Sequence, residues 1–173
     1  MIKLIKEVDN DINYLEVSIN GETITVHNGV VGENGETEEI KLKFIENTDE
    51  VIGNFVEDKL NEGYELFDRE KLIGLYATYP YENHQLEEVL EKRQMIYDLM
   101  NDCLGRTGNG YCDQGGIGMG NVDVFNYVID VKKALKTILE ELSNNNLLDT
   151  LKITFFYYPD EDGEYVSLYP EGL

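Results

Sequence analysis

The chain has 173 residues, of which 42% are apolar, enough for a packed core and more than a disordered chain carries. Thirty-five acidic residues against fourteen basic ones give a net charge of −21, so the surface repels nucleic acids and anionic membranes and attracts basic proteins. No apolar run approaches the roughly 20 residues of a membrane-spanning helix and no signal-peptide core follows Met1, so we predict a soluble, cytoplasmic protein.

The first predicted elements are two strands joined by a tight turn. Residues 14–28 read YLEVSINGETITVHN, in which apolar and polar residues alternate on both sides of Asn20-Gly21. Asn and Gly tolerate the positive φ angles of a type I′ turn, so this pattern predicts a β-hairpin. The loop GVVGENGE leads from the hairpin to a third predicted strand over 38–45.

A helix is predicted next. Apolar residues recur at helical spacing between positions 52 and 60. Asn47 or Thr48 can cap its N-terminus, with Glu50 as the capping-box partner of Asn47. Gly63 is placed to end the helix in the left-handed conformation.

The second half of the chain has its own order of elements. The predicted elements are a strand over 71–81, a helix over 84–104, a glycine-rich run over 105–121, a strand over 121–130, a helix capped by Asp130, the strand LKITFFYYP, a turn at DEDG and a last short strand. This order predicts a ferredoxin-like βαββαβ domain with a C-terminal hairpin, in which two helices cover one face of an antiparallel sheet. We therefore expect an α+β protein of two domains, 1–70 and 71–173.

Residues 1–70 resemble a WGR domain, the β-rich module of poly(ADP-ribose) polymerases and of many bacterial proteins. The resemblance rests on EDKLNEGYE, with Lys59, Gly63 and Tyr64 in register, and on GVVGENGE, with Gly29, Gly32 and Gly35 in register. It implies an antiparallel β module with one helix. The name-giving triplet reads Asn28-Gly29-Val30, so the ring and the cation that contribute to DNA contact in the polymerases are missing.

The second half carries a different resemblance. GNGYCDQGGIGMGNVDVFNYV is similar to the glycine-rich segment that precedes a buried strand in small bacterial domains of acidic, immunity-type proteins from toxin systems. This resemblance implies binding to a toxin protein.

The run GRTGNGYCDQGGIGMGN holds seven of the sixteen glycines. A P-loop needs GxxxxGK[ST], and a dinucleotide site needs GxGxxG between a strand and a helix, whereas this run follows a helix and leads into a strand. We predict an architectural role, with Gly116 and Gly118 serving backbone geometry. The alternative is a ligand-facing loop with Asp113 and Gln114 as its polar tips.

Cysteine and histidine residues are too few for an obvious metal site. Cys103 is predicted to be buried, and neither Cys112 nor His27 or His84 belongs to a spacing typical of zinc ligands. A nucleophilic pair of Cys112 with one of the histidines stays open. We predict no catalytic residue, no metal and no cofactor.

Tyrosines and a short acidic turn, PDEDGEY, are the candidates for contact with a partner protein. The predicted partner-binding residues are Tyr79, Tyr81, Asp113, Gln114, Asp160, Glu161 and Asp162. The turn is interpreted as a solvated hairpin, because its acids lack the spacing of a calcium loop.

Our leading hypothesis is a non-enzymatic acidic protein that binds and neutralises a basic partner, a toxin or a nuclease, in the manner of an immunity protein, an antitoxin or an anti-CRISPR inhibitor. The alternative is a WGR-type accessory module in a bacterial system linked to nucleic acid. A third hypothesis is an enzyme that uses the glycine-rich run and Cys112.

Overall fold

The computed structural model describes residues 1–42, 47–82, 86–113, 115–157 and 164–170. Within these residues the protein is α+β, with two antiparallel sheets and three α-helices. The first sheet contains β1 (Ile2–Val8), β2 (Asp11–Asn20), β3 (Thr23–Val30), β4 (Glu36–Lys41) and β5 (Glu65–Leu66). The second contains β6 (Ile73–Pro80), β7 (Gly110–Cys112), β8 (Gly116–Gly118), β9 (Asn121–Val128), β10 (Lys152–Tyr157) and β11 (Glu164–Tyr169). The helices are α1 (Thr48–Asn61), α2 (Leu86–Arg106) and α3 (Val131–Asn144).

The predicted hairpin is present as β2 and β3, with its turn one residue later than expected. Asn20 pairs with Thr23, so Gly21 and Glu22 form the turn. Gly21 has φ +61° and Glu22 does not have a positive φ, which fits a type II′ turn instead of type I′. β1 was not predicted. It pairs with β2 through a turn in which Asp9 and Asn10 have φ angles of 52° and 72°.

The first sheet has the order β4-β3-β2-β1-β5, and α1 covers one of its faces. The Asn47 side chain accepts a hydrogen bond from the Asp49 amide at 3.1 Å, which confirms Asn47 as the predicted cap. The donor is the amide of Asp49 and not that of Glu50, which the capping box predicts. Gly63, with φ +91°, ends the helix as predicted. Ile52 then packs on the sheet core, whose buried residues are Leu4, Leu15, Val17, Ile24 and Val26.

The second sheet has the order β11-β10-β6-β9-β7, and β8 also pairs with β9. α2 and α3 pack on one face of this sheet, where every second residue of β6 and β9 is buried. Asp130 caps α3 as predicted, since its side chain accepts from the Lys133 amide at 2.9 Å. The polar residue Asn126 lies among the buried positions of β9, where its amide donates to the Leu75 carbonyl at 3.2 Å.

The glycine-rich run does not begin where the sequence suggests. α2 continues to Arg106, so Gly105 lies inside its last turn and not beyond the helix end. Two short strands, β7 and β8, follow and both pair with β9.

The loop after β3 contacts the end of α2. The Gly32 amide donates to the Thr107 carbonyl at 2.9 Å, and the Gly35 amide donates to the Arg106 carbonyl at 3.0 Å. The glycines of the first-half loop and the end of α2 therefore form one contact region.

Candidate functional site

Tyr14 is fully buried where the first sheet meets the end of α2. A Cβ atom on Gly108 would overlap the Tyr14 ring, and one on Gly35 would overlap the Tyr14 hydroxyl. Gly108 also has φ +58°, which favours glycine. Glycines from two distant segments thus make room for one tyrosine, so this part of the glycine-rich run has an architectural role.

A chain of polar side chains surrounds Tyr14. The Lys3 ammonium lies 3.0 Å from Glu16 Oε1 and donates to the Gly108 carbonyl at 2.6 Å. Glu16 Oε2 lies 3.2 Å from His27 Nδ1, and His27 Nε2 lies 3.0 Å from the Tyr14 hydroxyl. These hydrogen bonds connect the Glu16 carboxylate to the His27 imidazole and the imidazole to the Tyr14 phenol, an arrangement that can transfer protons.

Burial argues for a structural role of this chain. Burial, with a smaller contribution from Glu16, raises the pKa of Tyr14 to about 12, so its phenol stays protonated at neutral pH. Burial also lowers the pKa of Lys3, while the neighbouring Glu16 opposes that shift. Because Tyr14 has no exposed surface, a substrate cannot reach its hydroxyl in this conformation. These polar side chains link the first sheet to the end of α2, since the Lys3 ammonium donates to the Gly108 carbonyl.

Both thiols are buried. Cys112 is 5% exposed and its Sγ donates to Asn126 Oδ1 at 2.6 Å. Burial raises the pKa of Cys112, and burial raises the pKa of Cys103 to about 12, so neither is a thiolate at neutral pH. Across the part of the chain that the structure describes, which leaves out His84, no histidine contacts Cys112. Within those residues no base lies beside the Cys112 thiol, and the pairing of Cys112 with His84 falls outside them.

The later glycines of the run differ in their roles. A Cβ on Gly110 would overlap the Tyr127 carbonyl, and a Cβ on Gly115 would overlap the Asp123 carbonyl. Gly116 and Gly118, for which the sequence predicted a geometric role, have nothing within 4 Å of a Cβ and no positive φ. The geometric constraint therefore lies at the strand crossings, at Tyr14 and at Gly120, whose φ is +76°.

One face of the second sheet carries a row of aromatic side chains. We call Tyr76, Tyr111, Phe125 and Tyr127 the aromatic face. Tyr76 and Phe125 are opposite each other in neighbouring strands with ring centroids 5.0 Å apart, and Tyr111 and Tyr127 are opposite with centroids 5.6 Å apart. These rings alternate with the core residues of β6 and β9, so they point away from α2 and α3. Tyr111 is 40% exposed and the other three are half-buried.

The tyrosines predicted to contact a partner lie elsewhere. Tyr79 is 4% exposed, its hydroxyl donates to the Leu147 carbonyl at 2.8 Å, and the Lys92 ammonium lies 4.5 Å from its ring centroid. Tyr79 is therefore a core residue, and its ring is not exposed for contact with a partner, contrary to the prediction. Tyr81 is half-buried, and its backbone amide donates to Gly120 at 2.8 Å. The alternation along β6, in which Leu75, Ala77 and Tyr79 lie on one face of the sheet and Tyr76 on the other, is the sequence signal that distinguishes the buried tyrosine from the half-buried one.

The acidic candidates are only partly described. Asp113 is exposed, and its backbone amide donates to the Phe125 carbonyl at 2.8 Å, which places it beside the aromatic face. Gln114, Asp160, Glu161 and Asp162 lie outside the described residues.

A groove of about 560 Å³ lies between the first sheet and β7. Its apolar walls include Ile2, Leu66, Phe67, Leu72 and Tyr111. The charged side chains that line it are those of Lys3, Glu16 and Arg69. We call it the Arg69 groove.

Among the described residues, no group of three or more His, Cys, Asp or Glu side chains is placed to hold a metal ion. No helix in those same ranges is both long and apolar enough to cross a membrane. No protein-family model, no curated protein and no solved structure matches this chain.

Proposed function

We propose that this protein binds and neutralises a basic protein partner without catalysing a reaction, and that the partner docks on the aromatic face. The observation that carries the proposal is the row of four aromatic rings on the side of the second sheet that faces away from α2 and α3. Rigid aromatic side chains are enriched at the centres of protein interfaces, where each supplies much apolar contact area.

Charge supports a basic partner. Asp113 lies beside the aromatic face, and Asp123, which accepts from the Thr78 hydroxyl at 2.7 Å, shares it. Among the residues that the structure describes, four lysine or arginine side chains already form ion pairs: Lys3 with Glu16, Lys59 with Glu62, Arg106 with Glu141 and Lys133 with Asp11. With a net charge of −21, the field outside the molecule is negative and accelerates encounter with a basic surface.

We also propose that the chain has two domains, 1–70 and 71–173, of which the first is WGR-like and the second ferredoxin-like. The strand order β10-β6-β9-β7 supports the second assignment, with β11 as an added edge strand and two helices on one face. The glycines near Tyr14 and the helix end at Gly63 and Tyr64 support the first. In this arrangement Tyr14 joins the domains.

The experiment is a comparison of two double variants. Chemical cross-linking in the source cell identifies candidate partners, and the purified partner is then titrated with Y111S/Y127S and with the control I19S/I40S. Ile19 and Ile40 are exposed apolar residues of the first sheet, at 48% and 37%. We expect the aromatic variant to raise the Kd at least about thirtyfold, since an interface anchor contributes about 2 kcal/mol or more, and the control to change it by less than about threefold.

The ionic-strength dependence tests the electrostatic half of the proposal. We expect the association rate to fall at least about tenfold between about 0.02 and 0.3 M salt, because screening weakens steering. An acidic partner, a rate independent of salt, or equal effects of the two double variants would contradict the proposal.

A further inference from the structure

The Arg69 groove has a lining unlike the rest of this acidic surface. Leu66 is 61% exposed and Tyr111 is 40% exposed, and half-buried Phe67 and Leu72 extend the same apolar wall. A volume of about 560 Å³ is within the range of roughly 300–1,000 Å³ that is typical of sites for small organic ligands. The groove can therefore enclose the apolar body of a small molecule.

Of the charged side chains that line the groove, one cation has no partner among the described residues. Lys3 and Glu16 form an ion pair at 3.0 Å, with side chains only 13% and 17% exposed, so they neutralise each other. Arg69 is exposed, and within the described ranges its guanidinium makes neither an ion pair nor a hydrogen bond. Arg69 is also near enough to Lys3 to contribute to the lowered pKa of that ammonium. In a protein of net charge −21, an unpaired guanidinium at an apolar groove is complementary to an anion.

We propose that the Arg69 groove binds a small amphipathic carboxylate, with the carboxylate on the Arg69 guanidinium and its alkyl or aryl body against Leu66 and Phe67. A planar guanidinium can hold both carboxylate oxygens at once, which sets the orientation of the ligand. The apolar body loses contact with water along the wall, which supplies most of the affinity. The strongly negative surroundings favour a single negative charge over a more highly charged anion.

Dodecanoate, below its micellar concentration, is the probe, and dodecanol is its uncharged counterpart. Each is titrated into the ¹⁵N-labelled full chain, and amide shifts in the spectrum report both the Kd and the residues affected. Arg69→Gln removes the guanidinium, and Lys71→Gln is the matched control, because Lys71 is an exposed cation of the same 3₁₀ turn (Arg69–Lys71) that does not line the groove. Leu66→Ser tests the apolar wall, with Ile19→Ser as its control.

We expect saturable shifts centred on residues 66–72 and 110–111, with dodecanoate binding about tenfold more tightly than dodecanol. R69Q should raise the dodecanoate Kd about tenfold and leave that of dodecanol unchanged, L66S should weaken both ligands, and K71Q and I19S should affect neither. The absence of saturable shifts, a K71Q effect as large as that of R69Q, or equal affinities for the two ligands would overturn the proposal. All variants change exposed side chains, and an unchanged spectrum without ligand verifies that each retains the fold.

Discussion

Alanine at Gly108 is expected to destabilise the protein, because the backbone there has φ +58° and a Cβ would overlap the buried Tyr14 ring. Left-handed backbone costs a non-glycine residue about 1–2 kcal/mol. Displacing a packed ring adds about 1–3 kcal/mol, the usual cost of overpacking a core. The free energy of unfolding should therefore fall by about 2–5 kcal/mol in the Gly108→Ala variant.

Gly116→Ala is the matched control within the same glycine-rich run. Nothing lies within 4 Å of a Cβ at Gly116, and its φ is not positive. Its free energy of unfolding should change by less than about 1 kcal/mol. In thermal melts followed by circular dichroism, each kcal/mol corresponds to about 2–4 °C for a chain of this size, so we expect a Tm about 4–20 °C lower for G108A and a nearly unchanged Tm for G116A.

A double-mutant cycle isolates the contact with the ring. In a Tyr14→Leu background the ring is absent, so G108A should cost only the backbone strain and the coupling energy should be about 1–3 kcal/mol. Equal melting temperatures for G108A and G116A would refute the reasoning. A stable G108A variant that loses partner binding would instead show that the run faces a ligand.

Three further outcomes follow from the buried groups and the sequence. Cys112→Ser keeps a donor to Asn126 Oδ1, so it should change the free energy of unfolding by less than about 1 kcal/mol and leave function intact. Cys112→Ala leaves that oxygen unpaired and should lower the free energy of unfolding, measured by urea denaturation, by about 1–3 kcal/mol. Equal stabilities of the two variants would contradict this. The pKa of Tyr14 is raised to about 12 from its ordinary 10, so the contribution of the neutral phenol is complete below pH 10 and is lost as the pH rises through 12. Phenylalanine cannot ionise, so between pH 10 and 12 the free energy of unfolding of Tyr14→Phe should fall by about 2 kcal/mol less than that of the native protein. Identical losses for the two proteins would contradict this prediction. With Asn28 and Val30 in place of a stacking ring and a cation, no DNA or RNA binding should be measurable by mobility shift near physiological salt, and micromolar binding would favour the WGR-type accessory function.

Local features were predictable from the sequence because they depend on neighbours a few residues away. Asn47 and Asp130 cap their helices through amides two and three residues further on, and Gly63 ends α1 through its own backbone freedom. The type and order of most elements followed from the same short-range patterns. The turn lies at Gly21-Glu22, one residue after the predicted Asn20-Gly21, because hairpin register depends on pairing along both strands, which the turn residues alone do not fix.

The candidate sites depended on contacts between distant segments. Alternation in β6 shows that Tyr76 and Tyr79 point to opposite faces, but only the packing of α2 and α3 determines that Tyr79 is the buried one. No local pattern places Gly108 against Tyr14, since the two are separated by 94 positions in the chain and meet only when distant segments pack together. The Arg69 groove likewise exists only between β7 and the first sheet. The sequence determined most of the helices and strands, because hydrogen bonds and side-chain periodicity act locally, whereas β1, β5, β7 and β8 are recognised as strands only from their pairing with other segments. The tertiary structure determined which faces are buried, because burial depends on what packs against them.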